Sequence, residues 1–326
     1  MKKSGYIVGL LLAAGGTLQA QEGASAYHFL QFPQSSHTSA LGGANISAVD
    51  DDVAAAMNNP ALLSTVSDHT LSLNFMTYAA GSKAVGAAFA KAFGERHTGA
   101  VAAQYLGYGS MDETDAEGNV IGSFSAKDLS LTAGYAYLLN DRWAGGASVK
   151  MIYSKYAEFS SLALAVDVGL NYYDVDADFS ASLALKNLGV QLKAFEDDHD
   201  HVPYDLQLGL SKGIARAPIR FSLTLTDLTR WRTSDYFVPE GDELKSLQKL
   251  LNHVVVGVDV FPIDALYLSA GYNFRRAYEL KASGSGKGAG LSVGGGVQLS
   301  RFRAGIAWAR YHLAASSLHF DVAYTF

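Results

Sequence analysis

From Thr70 to Phe326 the chain is a succession of segments in which apolar residues alternate with small or polar ones, and this period of two constrains the fold more than any other feature. Successive side chains of a strand point to opposite faces. Leu162, Leu164, Val166, Val168 and Leu170 therefore share one face, and Ala163, Ala165, Asp167, Gly169 and Asn171 the other. Val254, Val256, Val258 and Val260 repeat the arrangement against Val255, Gly257 and Asp259. So do Phe221, Leu223 and Leu225, and Phe179, Ala181, Leu183 and Leu185. About fourteen such segments can be counted, an even number as bacterial barrels require. Their centres fall near Leu73, Ala88, Ala103, Ala133, Val149, Val166, Leu183, Leu208, Leu223, Val256, Ala270, Gly295, Ile306 and Val322. Strands persist in lipid only as a closed ring, because an open edge leaves backbone groups unpaired. The pattern predicts an all-β fold, a 14-stranded antiparallel outer-membrane β-barrel over residues 69–326.

The connections support closure. If the first strand rises from the periplasm, every second connection should be tight. Gly94 to Arg96, Asn140-Asp141, Asp174 to Asp176, Gly213 to Ala217, Pro262 to Asp264 and Ser300-Arg301 all are. The opposite set holds the long stretches Gly109 to Ala126, Gly189 to Val202, Thr229 to Asn252 and Ala277 to Gly288. In the last segment Leu318, Phe320, Val322, Tyr324 and Phe326 point one way. That terminal alternation resembles the recognition signal of the barrel-assembly machinery, carried by Phe320, Val322, Tyr324 and Phe326.

Two segments precede the barrel. Residues 1–20 read as a signal peptide for Sec-type export: Lys2 and Lys3, an apolar run from Tyr6 to Ala14, and Leu18-Gln19-Ala20 at a cleavage site. Residues 21–68 lack alternation and are rich in small residues. Gly42 and Gly43 allow close backbone approach, while Pro60 biases Asn59 to extended geometry within Asn58-Asn59-Pro60. This combination suits an N-terminal plug, or hatch, folded into the lumen; the alternative is a periplasmic tail.

Without Lys2 and Lys3 the formal charge falls from −6 to −8, which offers no basic field to nucleic acid. The absence of cysteine removes disulfides, thiolate chemistry and Cys-based zinc sites. Lys150, Asp167, Lys186, Asp259, Arg303 and Asp321 face the lumen and are mixed in sign. A pore selecting one ion sign is normally lined by one charge, so these residues are expected to pair with one another and to hold the plug. Glu196-Asp197-Asp198-His199-Asp200-His201 contains types that bind calcium or zinc, but reads first as a solvated acidic loop. The long stretch from Trp231 to Asn252 places Leu244, Leu247 and Leu251 on one face of a helix drawn from Gly241 to Leu251. With Trp231, these residues are a candidate partner-docking surface or a cap on the barrel rim. No catalytic constellation and no cofactor site are expected.

The Gly-Gly-Ala, Asp-Asp and Asn-Pro-Ala runs followed by about fourteen strands resemble the fatty-acid-transporter-like barrels, whose amino-terminal hatch plugs the pore. Phe124-Ser125-Ala126-Lys127-Asp128, Asp167 to Tyr173, Lys186-Asn187-Leu188-Gly189 with Gln191-Leu192, and Pro203 to Gly209 narrow the likeness. They resemble the PorV/PorQ branch, the outer-membrane barrels of type IX secretion in Bacteroidota. The resemblance is weakest from Trp231 to Lys287. It implies a non-enzymatic role in the attachment complex, docking a PorZ-like surface partner beside a PorU-like sortase and a PorV-like shuttle. There, cargo is processed and anchored to lipopolysaccharide in the outer membrane. It leaves two alternatives open: a PorV-like shuttle that binds cargo sorting domains, and a transporter of hydrophobic small molecules. The Gly, Ala, Ser, Thr and charged residues of the lumen face show no evident greasy pocket for the latter.

Overall fold

The computed structural model of the chain describes residues 27–115, 119–196, 199–236, 238, 244–282, 288–312 and 315–326. The signal-peptide reading lies outside them. The strands are β1 (Thr70–Thr77), β2 (Lys83–Ala92), β3 (His97–Thr114), β4 (Val120–Leu138), β5 (Trp143–Tyr156), β6 (Phe159–Asp174) and β7 (Phe179–Lys193), followed by β8 (Asp205–Gly213), β9 (Ile219–Leu225), β10 (Val254–Ile263), β11 (Leu266–Asn273), β12 (Leu291–Gln298), β13 (Phe302–Ala309) and β14 (Ser317–Thr325). Each pairs antiparallel with its sequence neighbours, and β1 closes the ring on β14 with Thr70 opposite Thr325 and Leu73 opposite Val322. Every segment centre read from the sequence falls inside its own strand.

The face assignments follow the alternation. Leu164, Val166, Val168 and Leu170 are exposed on the outer wall, while Ala163, Ala165, Asp167 and Asn171 are buried inside. The outer wall is thus an apolar band, as a lipid-facing barrel needs. The short connections gather at one end, and the long ones, between Lys193 and Asp205, Leu225 and Val254, and Asn273 and Leu291, at the other.

Three expectations about the long-loop end are corrected. Gly109 to Ala126 is largely strand: the ladder continues through Ser110 opposite Ser125, Met111 opposite Phe124 and Asp112 opposite Ser123. Both faces of this hairpin lie beyond the apolar band, so pairing persists where alternation has no reason to. β7 also runs past Gly189 to Lys193: after a register shift near Asn187 the alternation resumes, with Leu188, Val190 and Leu192 outward and Gln191 inward. The connection expected from Ala277 starts earlier, at Phe274, with the helix Phe274–Ala282, whose first turn is stabilised by Asn273 Oδ1 accepting from the Arg276 N–H at 2.9 Å and by an Arg275–Glu279 pair at 2.8 Å.

Residues 27–68 enter the barrel as short turns of helix, among them α1 (Ser36–Ala40) and α2 (Val53–Ala56); the two later helices are α3 (Ser246–Leu251) and α4 (Phe274–Ala282). Ser35 caps α1 by accepting from the His37 N–H at 3.2 Å, and Asp52 caps α2 by accepting from Ala54 and Ala55. Two apolar clusters hold this segment. Toward the long-loop end, Tyr27, Phe29, Leu30 and Phe32 pack with Met76, Leu106 and Ile152. Toward the short-turn end, Val53, Met57, Leu62, Leu63 and Val66 pack on Ala88, Ala90, Ala100, Ala102 and Ala136 of β2 to β4. Alanine on the wall leaves room for the larger side chains of the segment, and burying a residue such as Leu63 contributes roughly 1.5–3 kcal/mol.

Candidate functional site

Opposite the alanine wall, the lumenal segment is tied to β9 through β14 by charge. His37 on α1 stands between two carboxylates, Nδ1 at 3.0 Å from Asp50 and Nε2 at 2.8 Å from Asp259. Arg220 of β9 bridges the same two acids, 2.9 Å from Asp50 and 2.8 Å from Asp259. The Ser269 hydroxyl donates to Asp259 at 2.6 Å. Burial alone would strip His37 of its proton, but Asp259 and Asp50 outweigh it and raise its pKa to about 9. Burial likewise opposes the charge on Asp50, yet Arg220 and then His37 hold its carboxyl well below the usual carboxylate range. Two cations thus face two anions, and the belt is neutral as a unit.

The same pairing recurs along the wall. Arg303 reaches Asp52 at 3.2 Å, and Asp321 accepts the Ser36 N–H at 2.7 Å. Lys150 pairs with Asp167 at 2.7 Å and donates to Asn187 at 2.8 Å, while Lys186 donates to Asn58 at 3.1 Å. All six lumen-facing charges singled out in the sequence are buried and bonded within the lumen. Sequence reasoning missed His37 and Arg220. Arg220 carried a signal, since it shares the inward face of β9 with Ser222 and Thr224, opposite Phe221 and Leu223. His37 carried none, because no period organises the segment around it.

The glycine and asparagine-proline residues sit at points of close approach. Gly42 and Gly43 have φ of +97° and +85°, which L side chains rarely adopt, and a Cβ on Gly42 would lie 2.4 Å from Val255. Gly42 N–H donates to Ser292 at 2.9 Å. Asn59 accepts from the Ala61 N–H at 3.1 Å and donates to the Ile46 carbonyl at 3.0 Å, and Pro60 opens the 3-10 turn that follows. That turn rests on glycines of the wall, where a Cβ on Gly146 would lie 2.4 Å from the Pro60 backbone.

At the long-loop end, Trp231 is exposed, with its indole N–H donating to the Leu228 carbonyl at 2.7 Å and its ring 4.0 Å from that of His253. The helix expected from Gly241 is shorter than read: α3 begins at Ser246, Leu244 precedes it, and residues 241–243 lie outside the described residues. Lys245 at its N-cap supplies no side-chain cap, so nothing on that side chain extends the helix N-terminally. Leu244 and Leu251 are half-buried, whereas Leu247, and Leu250 beside it, are 68% and 51% exposed. Asp197 and Asp198 of the acidic loop lie outside the described residues; among those described, no group of three or more His, Asp or Glu is placed to hold a metal. Phe320, Val322, Tyr324 and Phe326 all point outward, and the Phe326 N–H donates to the His69 carbonyl at 3.2 Å.

No family model matches the chain, and no curated protein matches it. Solved structures do. The chain is similar to the toluene transporter TodX of Pseudomonas putida, with a TM-score of 0.51 and 15% identity over 88% of this chain and 95% of that one. It is similar to the monoaromatic hydrocarbon channel CymD, with a TM-score of 0.53 and 11% identity over 89% and 97%. It is also similar to a FadL homologue of Pseudomonas aeruginosa, with a TM-score of 0.54 and 12% identity over 89% and 98%. The fold is therefore that of the FadL-like outer-membrane barrels, matched over almost the whole length of each.

Proposed function

We propose that the chain works in the outer membrane, with its short turns in the periplasm and its long loops outside, as a barrel that handles a hydrophobic small molecule. This is the role named for TodX and CymD, whose fold it shares. The supporting observation within the lumen is the aromatic cluster under the long loops. Phe32 lies 4.7 Å from Tyr78 and 6.3 Å from Tyr311 between ring centroids, and Tyr27 stacks on Phe195. An apolar ligand arriving from outside meets rings there, and passage requires the segment below to move. The test is uptake of a monoaromatic hydrocarbon or a long-chain fatty acid by cells with and without the gene. Faster uptake with it is expected; equal uptake contradicts the transport reading.

A second reading is favoured by the outer loop. Exposed Leu247, Leu250 and Trp231, with a lumenal segment tied to the wall by ion pairs, suit a PorQ-like dock of the type IX attachment complex. There the barrel holds a PorZ-like surface partner near PorU-like and PorV-like proteins while cargo is attached to lipopolysaccharide; a PorV-like shuttle would use the same loops. Mild-detergent purification from native membranes tests it. Recovery of a sortase and its companions, lost on deletion of residues 241–251, supports docking, and a barrel recovered alone contradicts it. Neither reading assigns a chemical step or a cofactor to this chain.

A further inference from the structure

The outer wall of the barrel is not uniformly convex. Across β1 to β5 it carries an apolar depression of about 590 Å³. Its floor is Ala87, Ala103 and Ala133, which face outward on three consecutive strands, and Leu71, Phe89 and Met151 stand around it. Ala87 lies opposite Ala103, and Ala133, opposite Val101, is the diagonal neighbour of Ala103 across β3 and β4, with Val101 and Leu131 beside them. Directly below, Lys91 continues the outward face of β2 after Phe89, and its ammonium lies 5.6 Å from the Phe93 ring centroid. No carboxylate comes within ion-pair distance of Lys91 among the described residues.

We infer that this depression and Lys91 form a site for one anionic glycerophospholipid of the periplasmic leaflet, with an acyl chain on the alanine floor and the headgroup phosphate at Lys91. Height selects the leaflet. The depression runs from Leu71, next to the first residue of β1, to Met151, near the middle of β5, so it occupies the half of the wall nearer the short turns. Short turns face the periplasm. Shape favours a flexible chain, which follows a shallow hollow over its length, whereas the convex wall of a second barrel meets it only at protruding side chains. Charge selects the headgroup: a lysine at the edge of the apolar band extends toward the interface and attracts anionic lipid. Inside the same strands, Leu62 and Leu63 pack on Ala88 and Ala102. The lipid and the lumenal segment therefore grip opposite faces of one wall.

Native mass spectrometry of the full-length barrel, delipidated in mild detergent and offered phosphatidylglycerol or phosphatidylethanolamine, tests the site. The wild type is expected to retain one phosphatidylglycerol more firmly than phosphatidylethanolamine. A103L with A133L, which fills the floor, should lose that adduct, and Lys91→Gln should bind the two lipids alike. Circular dichroism and heat-modifiable migration confirm that each variant has folded; Lys91→Gln, a single exposed side chain, stands as the independent variant should the double substitution not assemble. An unchanged adduct in the Lys91→Gln protein, no retained lipid on the wild type, or retention of a second barrel copy in place of lipid would overturn the inference.

Discussion

His37 and Asp259, 222 positions apart in the chain, meet at 2.8 Å on the inner wall of the barrel, and Arg220 joins them through the same carboxylate. One contact thus fixes the lumenal segment to strands that follow it by more than half the chain. Removing His37 leaves Asp50 and Asp259 sharing a single cation in a buried place. Breaking a buried pair by deleting one partner costs about 3–5 kcal/mol. His37→Ala should therefore lower the unfolding midpoint measured by heat-modifiable migration, and Arg220→Ala should do so at least as strongly because Arg220 makes four hydrogen bonds to the two acids where His37 makes two contacts. A midpoint equal to wild type in both variants would remove the belt from the account of stability.

The belt also has a pH dependence whose sign can be worked out. The folded pKa of His37 is raised from 6.5 to about 9, so its contribution is fully present below 6.5 and is lost as pH rises through about 9. Asp50 is depressed below 3.8, so its contribution is present above that value and is lost as pH falls through its lower folded pKa. Thermal unfolding should show greatest stability between those limits and a decline toward alkaline pH. In His37→Gln the alkaline decline attributable to this group should vanish. An identical decline in variant and wild type would assign it to other groups.

The barrel was legible in the sequence because lipid outside and packed lumen inside impose one rule on every strand, and all fourteen centres follow it. Where the rule stops, legibility stops with it. The β3–β4 hairpin beyond Gly107 pairs through Asp112 and Ser123 without alternation and reads as a loop. The lumenal segment was recognisable by its glycines and its Asn-Pro step, yet the partners it chooses were not. His37 finds Asp259, and Asn58 finds Lys186, only once the ring has closed. A helical period groups Leu244, Leu247 and Leu251, but a period alone does not say what covers them.

Close approach at the wall predicts a different failure. A Cβ on Gly146 would meet the Pro60 backbone at 2.4 Å, and backbone cannot swing aside as a side-chain end can. Gly146→Ala should loosen the lumenal segment, read as faster proteolysis of residues 27–68 in the purified barrel. Gly145→Ala, whose Cβ meets nothing nearer than Leu139 at 3.9 Å, is the control. Equal proteolysis in the two variants would show that the Pro60 turn does not depend on this contact.

The last strand supplies an assembly prediction. Phe326 is exposed at the short-turn end, with its ring 5.1 Å from that of Tyr324. Phe326→Asp should reduce the heat-modifiable, membrane-inserted fraction in cells, while Thr325→Ser, beside it, should not. Normal insertion of the aspartate variant would separate this end from assembly.

The lumenal segment, held by ion pairs and apolar packing, should close the resting barrel. Single-channel recording of the purified protein in planar bilayers tests it directly. The wild type is expected to show no steady conductance, and a variant that lacks both His37 and Arg220 is expected to open. A large, stable open conductance in the wild type would contradict it.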